Sequence, residues 1–340
     1  MFGLKLKTLI YFNQRKLKAS AEKSSSIVKD SSFTGVLFSS VLKLISLCFF
    51  GVIILFPFFL MISLSLFNDI ESQNLANEFK LIPSFSKGPS FKNGALQDLP
   101  WKEVVQNTYT RAFSTGYWNS LIITFLNVLV SVVLKVIVTM LMGYAFSLKN
   151  WRGKNVIWFF VLALLVLPEI ALLSGQLQVV FRLKLNATYF GFVLTIALPF
   201  VASIFNAIMY KTAFEAIPDR IKEVALVDGA VGHKYFLKIA APMVLPTTLT
   251  VVILTALAAW NAYLWPSLTS TGSTKDFQVL SVWLFKAGID PDVQDSSANI
   301  QQNVKMAASI IAILPMFLVY LLFRKRIMAA ISRQGSTIKG

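Results

Sequence analysis

The sequence is short of the residues on which most soluble catalytic chemistry is built. Its 340 residues hold one cysteine and one histidine. A single thiol excludes an internal disulfide framework, and one Cys with one His cannot complete a structural zinc site. Carboxylates are scarce too, at 16 Asp and Glu, most of them outside the apolar runs. That argues against a buried di-metal or paired-carboxylate catalytic centre. Charged residues make up 14% of the chain, against about 25% in an ordinary soluble domain. Apolar residues fill the space: they account for 56%, with 29 Phe among them, and the mean hydropathy is +0.66. The class that remains is a polytopic membrane protein.

Six runs reach or approach the roughly 20 apolar residues that a helix needs to cross a bilayer core. They lie at about 44–67, 121–146, 156–173, 189–210, 239–264 and 306–323. Each is expected to be a helix, because backbone in lipid must satisfy its polar groups internally. The expectation is therefore an all-α polytopic fold with six transmembrane helices. Two charges lie well inside these runs, Lys135 in the second and Glu169 beside Pro168 in the third. Lys305 precedes the sixth, placed to snorkel.

The net charge of +16 would suit a nucleic-acid partner, but the positions of the charges matter more than their sum. Of the 32 Lys and Arg, 21 fall in 1–43, 147–155, 211–238 and 324–340, and nine in 68–118, 174–188 and 266–303. The positive-inside bias assigns the first set to the cytoplasm, with both termini inside a bacterial cell membrane. No aromatic-basic groove accompanies the charge, so no nucleic acid is expected. Residues 1–35 read as a basic, uncleaved cytoplasmic extension. Its start, Met1–Phe12, suits either a membrane-surface helix or a solubilising tail. Two outer segments, 68–118 and 266–303, are long enough to be functional. The second carries Thr269 to Thr274 and then Asp290, Asp292 and Asp295, which suit a partner on the outer face or a solvated acidic patch; the spacing of a calcium loop is missing.

Between the fourth and fifth runs lies FEAIPDRIKEVALVDGAVGHKYFLKIAAPMVLP. It reads as two short helices with a break. Pro218 suits a first helical turn, Ile221, Val224 and Ala225 share a face at i, i+3, i+4, and Gly229 suits the C′ position that ends such a helix. Phe236, Ile239 and Ala240 mark one side of the second helix, and Pro242 and Pro246 lead into the fifth run. The spacing of Glu223, Ala225, Gly229, Ile239 and Pro242 resembles the EAA loop of importer-type ABC transporter permeases, and Asp228-Gly229-Ala230, Phe236 and Pro246 match its fuller form. Val224 and Ala241 replace the Ala and Leu usual there. Other fragments resemble the carbohydrate-uptake permeases similar to the maltose transporter's MalG subunit. These are Asn119-Ser120-Leu121, Gly143-Tyr144-Ala145-Phe146, Trp260-Asn261 with Leu264-Trp265-Pro266, Met306-Ala307-Ala308 with Pro315, and Ile338-Lys339-Gly340. The resemblance covers roughly 36–67 and 118–340.

It implies a type I (MetI-like) permease domain over 36–340, paired with a second permease subunit. It also implies two ATP-binding subunits on the cytoplasmic side and an extracellular or periplasmic solute-binding protein. ATP and Mg would sit on the partner ATPase, and this chain would bind no cofactor and be no enzyme. Consistently, no P-loop is present: Gly153-Lys154 is followed by Asn155 and lacks the upstream glycine. By the same resemblance, Glu223, Ala225, Asp228, Gly229 and Ala230, within a coupling loop at 211–242, would seat in a cleft of the ATPase. For the solute path the candidates are Lys135, Glu169, Trp260, Asn261 and Tyr263. Lys135 and Glu169 suit a structural pair, a path residue or a snorkelling side chain, while the other three suit an interfacial aromatic belt or solute contact. The implied cargo is a sugar or oligosaccharide. The alternatives are a glycerol-phosphate-type solute, an ion-driven secondary transporter and a membrane-embedded glycosyltransferase.

Overall fold

A computed structural model of the protein describes residues 33–92, 95–114, 116–149, 151–271, 277–289 and 301–336. Expectations resting on residues 1–32, on Gly272, Ser273 and Thr274, on Asp290, Asp292 and Asp295, and on Ile338-Lys339-Gly340 lie outside them. Chain contacts divide the protein into two units, Met1–Phe59 and Leu60–Gly340. The described part of the first is helix α1 (Phe33–Ser65) as far as Phe59. Its apolar side chains are exposed all round, from Leu37 to Phe59, the condition of a helix whose solvent is lipid or another apolar surface.

The second unit is built around helix α4 (Tyr117–Ser147), a 31-residue helix. It touches α7 (Tyr189–Ala197), α8 (Ile204–Glu215), α10 (Leu245–Trp260) and α12 (Leu280–Lys286). Helices in lipid gain nothing from burying apolar faces against each other, so small residues and interhelical hydrogen bonds decide their contacts. Helix α4 carries both along one stripe: Ser120, Thr124, Asn127, Ser131, Thr139 and Gly143 are all buried. Thr124 Oγ1 accepts from Leu280 N at 2.7 Å, at the start of α12. Asn127 Nδ2 donates to Ala259 O at 3.3 Å on α10. Against α8 the contact is backbone to backbone. A Cβ at Gly143 would lie 2.4 Å from Tyr210 Cβ, 2.8 Å from Lys211 N and 2.9 Å from Ala207 O.

Three described helices are long and apolar enough to cross a membrane, at Leu37–Ser65, Tyr117–Ser147 and Gln302–Leu322, and three bent pairs raise the number to as many as six. The third, fourth and fifth runs, read above as continuous helices, are thus each broken, and prolines explain the breaks. Pro168 forces Leu167 into extended backbone, so that α5 (Lys154–Ala163) with its 3-10 extension meets α6 (Glu169–Arg182) at 96°. Pro199 lies in a 3-10 turn, Leu198–Phe200, and α8 restarts behind the Ser203 cap at 61°. Pro242 and Pro246 flank Val244, where the chain bends by 71° into α10. The last helix, α13 (Gln302–Ser336), starts earlier and runs longer than the sixth run.

The outer segments contain structure that the apolar runs do not reveal, and the all-α expectation is corrected to mostly helical. Residues 68–118 hold α2 (Asp69–Gln73), an antiparallel hairpin of β1 (Gly88–Lys92) and β2 (Ala95–Leu99), and α3 (Trp101–Ser114). Residues 266–303 include most of α11 (Leu264–Ser270) and all of α12. A polar knot holds the first group to the start of α13. Asp69, fully buried, takes both of its oxygens to Arg111 Nη2 at 2.7 and 3.0 Å, and accepts from Phe91 N at 2.6 Å and Asn303 Nδ2 at 2.6 Å. Arg111 Nη1 donates to Gln301 Oε1 at 2.7 Å. Stripping one partner from such a buried pair costs about 3–5 kcal/mol, so this knot outweighs the exposed ion pairs elsewhere.

The α4–α8 contact makes a direct prediction. Gly143→Ala should destabilise the purified protein by about 1–3 kcal/mol, because the new methyl meets backbone, whereas Gly175→Ala on α6, where a Cβ meets nothing within 4 Å, should not. Thermal unfolding in detergent distinguishes them, and equal midpoints would contradict the packing described.

Candidate functional site

Helix α9 (Asp219–Val227) follows Pro218, which occupies the N-cap and not the first turn. The helix closes in a Schellman motif: Gly229 N donates to Leu226 O at 3.1 Å and Ala230 N to Ala225 O at 2.8 Å. Gly229 takes φ +69° at C′ and Gly232 follows at φ +57°, a backbone region that side chains bearing a Cβ disfavour. The chain then re-enters helix at His233–Tyr235, passes through a π turn at Phe236–Ala240 and ends at Met243. Such π turns mark helices under constraint and recur at functional sites.

One side of this pair is anchored. Ala225 is 3% exposed, and Ile217, Ile221, Tyr235 and Phe236 join a core with Tyr210, Phe214 and Val251. Aromatic contacts extend the anchor into the membrane body, with Tyr144 of α4 lying 5.2 Å from Phe214 of α8 and 4.7 Å from Phe236. Gly143 and Tyr144, adjacent in sequence, thus do different work: one lets α8 approach and the other stacks beneath the helix pair. The other side is bare. Val224, Leu226 and Val231 are exposed and Val227 is 87% exposed, so Val224 does not share the buried face expected for it. Glu223 and Asp228 are exposed, and Ala230 is half-buried.

A cleft of about 400 Å³ opens beside the pair, lined by Glu223, Lys222, Asp219 and Leu226 of α9 and by Tyr144 and Lys149 from the end of α4 onward. Asp219 accepts from Lys222 at 2.9 Å and from Lys149 at 3.3 Å, and these two hydrogen bonds hold its carboxyl below the usual carboxylate range. Lys149 and Asp219 lie largely in solvent, and Lys222 is about one-third exposed. Exposed pairs of this kind contribute roughly 0–1 kcal/mol, so the apolar and aromatic anchor, not the salt bridges, fixes the pair in place. Among the described residues Glu223 has no ion pair or hydrogen bond through its carboxylate.

The five solute-path candidates do not converge. Lys135 is half-buried and lines a cavity of about 290 Å³ between α4, α7 and α10, together with Asn127, Ser131, Phe200 and Thr255. Trp260 and Asn261 line a separate cleft of about 210 Å³ against α12 and α13. Tyr263 packs its ring 4.2 Å from that of Phe285. Glu169 opens α6, and its side chain lies outside the described residues. The sequence reading missed Asn127, Ser131 and Thr255. The signal was present, since Asn127, Ser131, Lys135 and Thr139 recur every four residues in an otherwise apolar run, which puts them on one helix face.

A bent-helix membrane body carrying an anchored helix pair with an exposed apolar crown defines a multi-pass permease. Comparison with known proteins places it. Residues 135–333 match the family described as binding-protein-dependent transport system inner membrane component. Over 317 residues the chain is 44% identical to the probable ABC transporter permease protein MG189 homolog of Mycoplasma pneumoniae, covering 92% of this chain and 93% of the relative. It is 28% identical over 191 residues to the sn-glycerol-3-phosphate transport system permease protein UgpE of Yersinia enterocolitica, covering 56% and 64%. Among solved structures, a bacterial ABC transporter involved in the import of the acidic polysaccharide alginate shares the fold, with a TM-score of 0.64 at 22% identity, covering 87% of this chain and 98% of that one. A bacterial alginate ABC transporter in complex with an alginate pentasaccharide-bound periplasmic protein aligns with a TM-score of 0.53 at 14% identity, covering 89% and 99%. The chain belongs to the binding-protein-dependent transport system inner membrane component family. It is an ABC transporter permease, a transport component of the membrane.

The bend predicts its own sensitivity. Gly229→Val, which adds a β-branched side chain at positive φ but no clash within 4 Å, should cost about 1–2 kcal/mol, read as faster amide exchange across 219–243. Gly229→Asn should cost less, because Asn tolerates this region; equal exchange in both variants and the wild type would contradict the account.

Proposed function

We propose that this chain is one of two membrane subunits of an ATP-driven importer for a sugar or sugar-like solute. Its helix pair at 219–243 would be the docking element for an ATP-binding subunit. The observation that carries the reading is the two-sided character of that pair. Val224, Leu226, Val227 and Val231 form an apolar crown that none of the described residues covers, while the opposite face is locked through Phe236 and Tyr144 to α4. An amphipathic helix with a bare apolar side fits a groove on another protein, and a rigid anchor lets a push on that side reach the spans. The exposed Glu223, without a partner among the described residues, is available for a charged contact.

In this reading the three long helices and three bent pairs form six spans, with both termini in the cytoplasm, a second permease beside them and two ATP-binding subunits below. ATP and Mg belong to those subunits. An outer binding protein delivers the solute. Family membership supports that partner, and the alginate transporter complexed with a periplasmic protein offers a precedent in the same fold. The carbohydrate-type cargo draws support from the UgpE relatives and from the alginate importers; the former also keep a glycerol-phosphate-type solute as a second reading. Closure of the ATP-binding subunits would draw the helix pair with it and rock the spans between inward- and outward-facing states.

Gentle detergent purification of the tagged full chain from its host, followed by mass spectrometry, tests this. An ATP-binding subunit and a second multi-span protein should accompany the wild type. The ATP-binding subunit should be depleted in Glu223→Ala/Gly229→Val while the tagged chain remains in the membrane. A chain that purifies without an ATP-binding subunit would overturn the proposal.

A further inference from the structure

We infer that the segment between α1 and α4 is seated on the membrane surface. Its side chains Phe79, Leu81, Ile82 and Phe85 dip into the boundary between lipid headgroups and acyl chains. The inference rests on the reading of α1 and α4 as spans. Among the described residues no span lies between them, so the end of α1 at Ser65 and the start of α4 at Tyr117 open on one membrane face. Helix α3 runs from one of these ends to the other. At its start Trp101 Nε1 donates to Leu66 O at 3.3 Å, one residue beyond α1. Further along, the Tyr109 hydroxyl lies 3.1 Å from that of Ser65. At its end Phe113 packs its ring 5.2 Å from that of Tyr117 and 6.4 Å from that of Trp118. Trp101, Tyr109 and Phe113 stand at i, i+8 and i+12, on one side of the helix. The opposite side carries the hairpin: Asn107 Nδ2 donates to Phe91 O at 2.7 Å, and Glu103 pairs with Lys92 at 3.3 Å. The 14 residues of α3 make a helix about 21 Å long. Held to span ends at both of its own ends, it lies along the membrane face with the hairpin on its far side, in water.

The stretch 79–85 is tied to the same level. Ser63 Oγ, in the last turn of α1, donates to Leu81 O, Pro83 is buried, and the Phe85 ring lies 5.1 Å from that of Trp101. The large apolar side chains around these ties nonetheless face outward. Phe79, Ile82 and Phe85 are each more than half exposed, and Leu81 is exposed too. The backbone of Phe85 is an independent pointer. It takes φ +51°, a region that a bulky side chain disfavours, and strain of this kind persists only where the surroundings over-determine it. The fold thus holds a strained residue whose ring stays out of the core. An exposed ring gains nothing in water, whereas the interfacial layer of a membrane is where aromatic side chains concentrate. Trp118, exposed beside the start of α4, marks that level at the other end of α3. Lipid surrounds a span at the depth where it ends, so lipid is the occupant of this patch. Lys80 is already paired with Glu78 at 3.4 Å, so the attraction is apolar and does not need anionic headgroups. Through Arg111 of α3 and the buried Asp69, which accepts from Asn303, the seated segment also holds the start of α13. The ends of three helices are thereby referenced to one lipid surface.

The test uses the full chain, purified with the subunits that accompany it and reconstituted in phosphatidylcholine vesicles. Cys48 is the sole cysteine of this chain, so a Cys48→Ser preparation gives the labelling background. Single nitroxide labels are then placed at Phe79→Cys and Ile82→Cys in the patch. Two further labels serve as references: Asp98→Cys, exposed on β2, and Val133→Cys, exposed on α4 within the span. Power saturation reads collisions with oxygen, which concentrates in lipid, and with a water-soluble nickel chelate. The labels at 79 and 82 should favour oxygen, as at 133, and should lose most of the nickel collisions seen at 98. Vesicles of phosphatidylglycerol should give the same result. Nickel collisions at 79 and 82 as frequent as at 98 would overturn the inference. Protection that appears only when the solute-binding protein is added would also overturn it, in favour of a protein partner. Free access of nickel to the label at 133 would instead count against the reading of α4 as a span.

Discussion

The central helices of the second unit are hung on one seam, the buried stripe of small and polar residues along α4. In lipid, apolar side chains give neighbouring helices no reason to prefer one another. The stripe supplies the reason. Toward its N-terminal end Thr124 accepts from the first turn of α12, next to it Asn127 donates to α10, and toward its C-terminal end Gly143 lets α8 approach backbone to backbone. Three different elements are thereby set at fixed depths and rotations about one helix. Replacing the stripe with leucine would keep the apolarity and lose the architecture.

The same seam connects the helix pair at 219–243 with the cavity beside α4. Where it narrows to Gly143, the neighbouring Tyr144 packs edge-on against Phe214 and tilted against Phe236, and the helix pair with its Schellman bend is built on that aromatic cluster. Where it widens at Asn127, Ser131 and Lys135, it leaves a cavity lined by these polar residues and Thr255 on a mostly apolar wall. A rigid helix joins the helix pair to that cavity, so in the proposed docking role a push on the exposed crown would reach the cavity wall without passing through a loop. The outer end is held differently. There the buried Asp69–Arg111 pair ties the hairpin and its flanking helices to the first turn of α13 through Asn303 and Gln301.

The sequence made some of this legible and hid the rest for identifiable reasons. The helix pair could be read because its signals are local: Gly229 at a C′ position, Pro218 at the start of the first helix, one position earlier than read, and the EAA spacing from Glu223 to Pro242. The bends were not read, although Pro168, Pro199 and Pro242 were in plain view. Hydropathy registers apolar length, and a proline lowers it little while turning the chain by 61° to 96°. The outer hairpin and the Asp69 knot were invisible for the opposite reason, because their partners are Phe91, Arg111, Gln301 and Asn303, as many as 234 residues apart. Lys135 was identified as a charge inside a span, but its cavity depends on Thr255, whose role appears only once α10 lies against α4. Trp260 and Asn261 stay together in one cleft, while Tyr263, past the end of α10, turns to Phe285.

The central claim, that nucleotide at the cytoplasmic face controls access to the cavity beside α4, can be tested by side-specific labelling. Cys48 is the sole cysteine, so a Cys48→Ser background carrying Thr255→Cys gives this chain one thiol in the cavity wall. The assembled transporter would be reconstituted in vesicles and treated with a small membrane-impermeant thiol reagent from each side. Labelling of Thr255→Cys from the cytoplasmic side without nucleotide, switching to the outer side with a non-hydrolysable ATP analogue, is the result the account predicts. Labelling that is indifferent to nucleotide, or that fails from both sides, would contradict it.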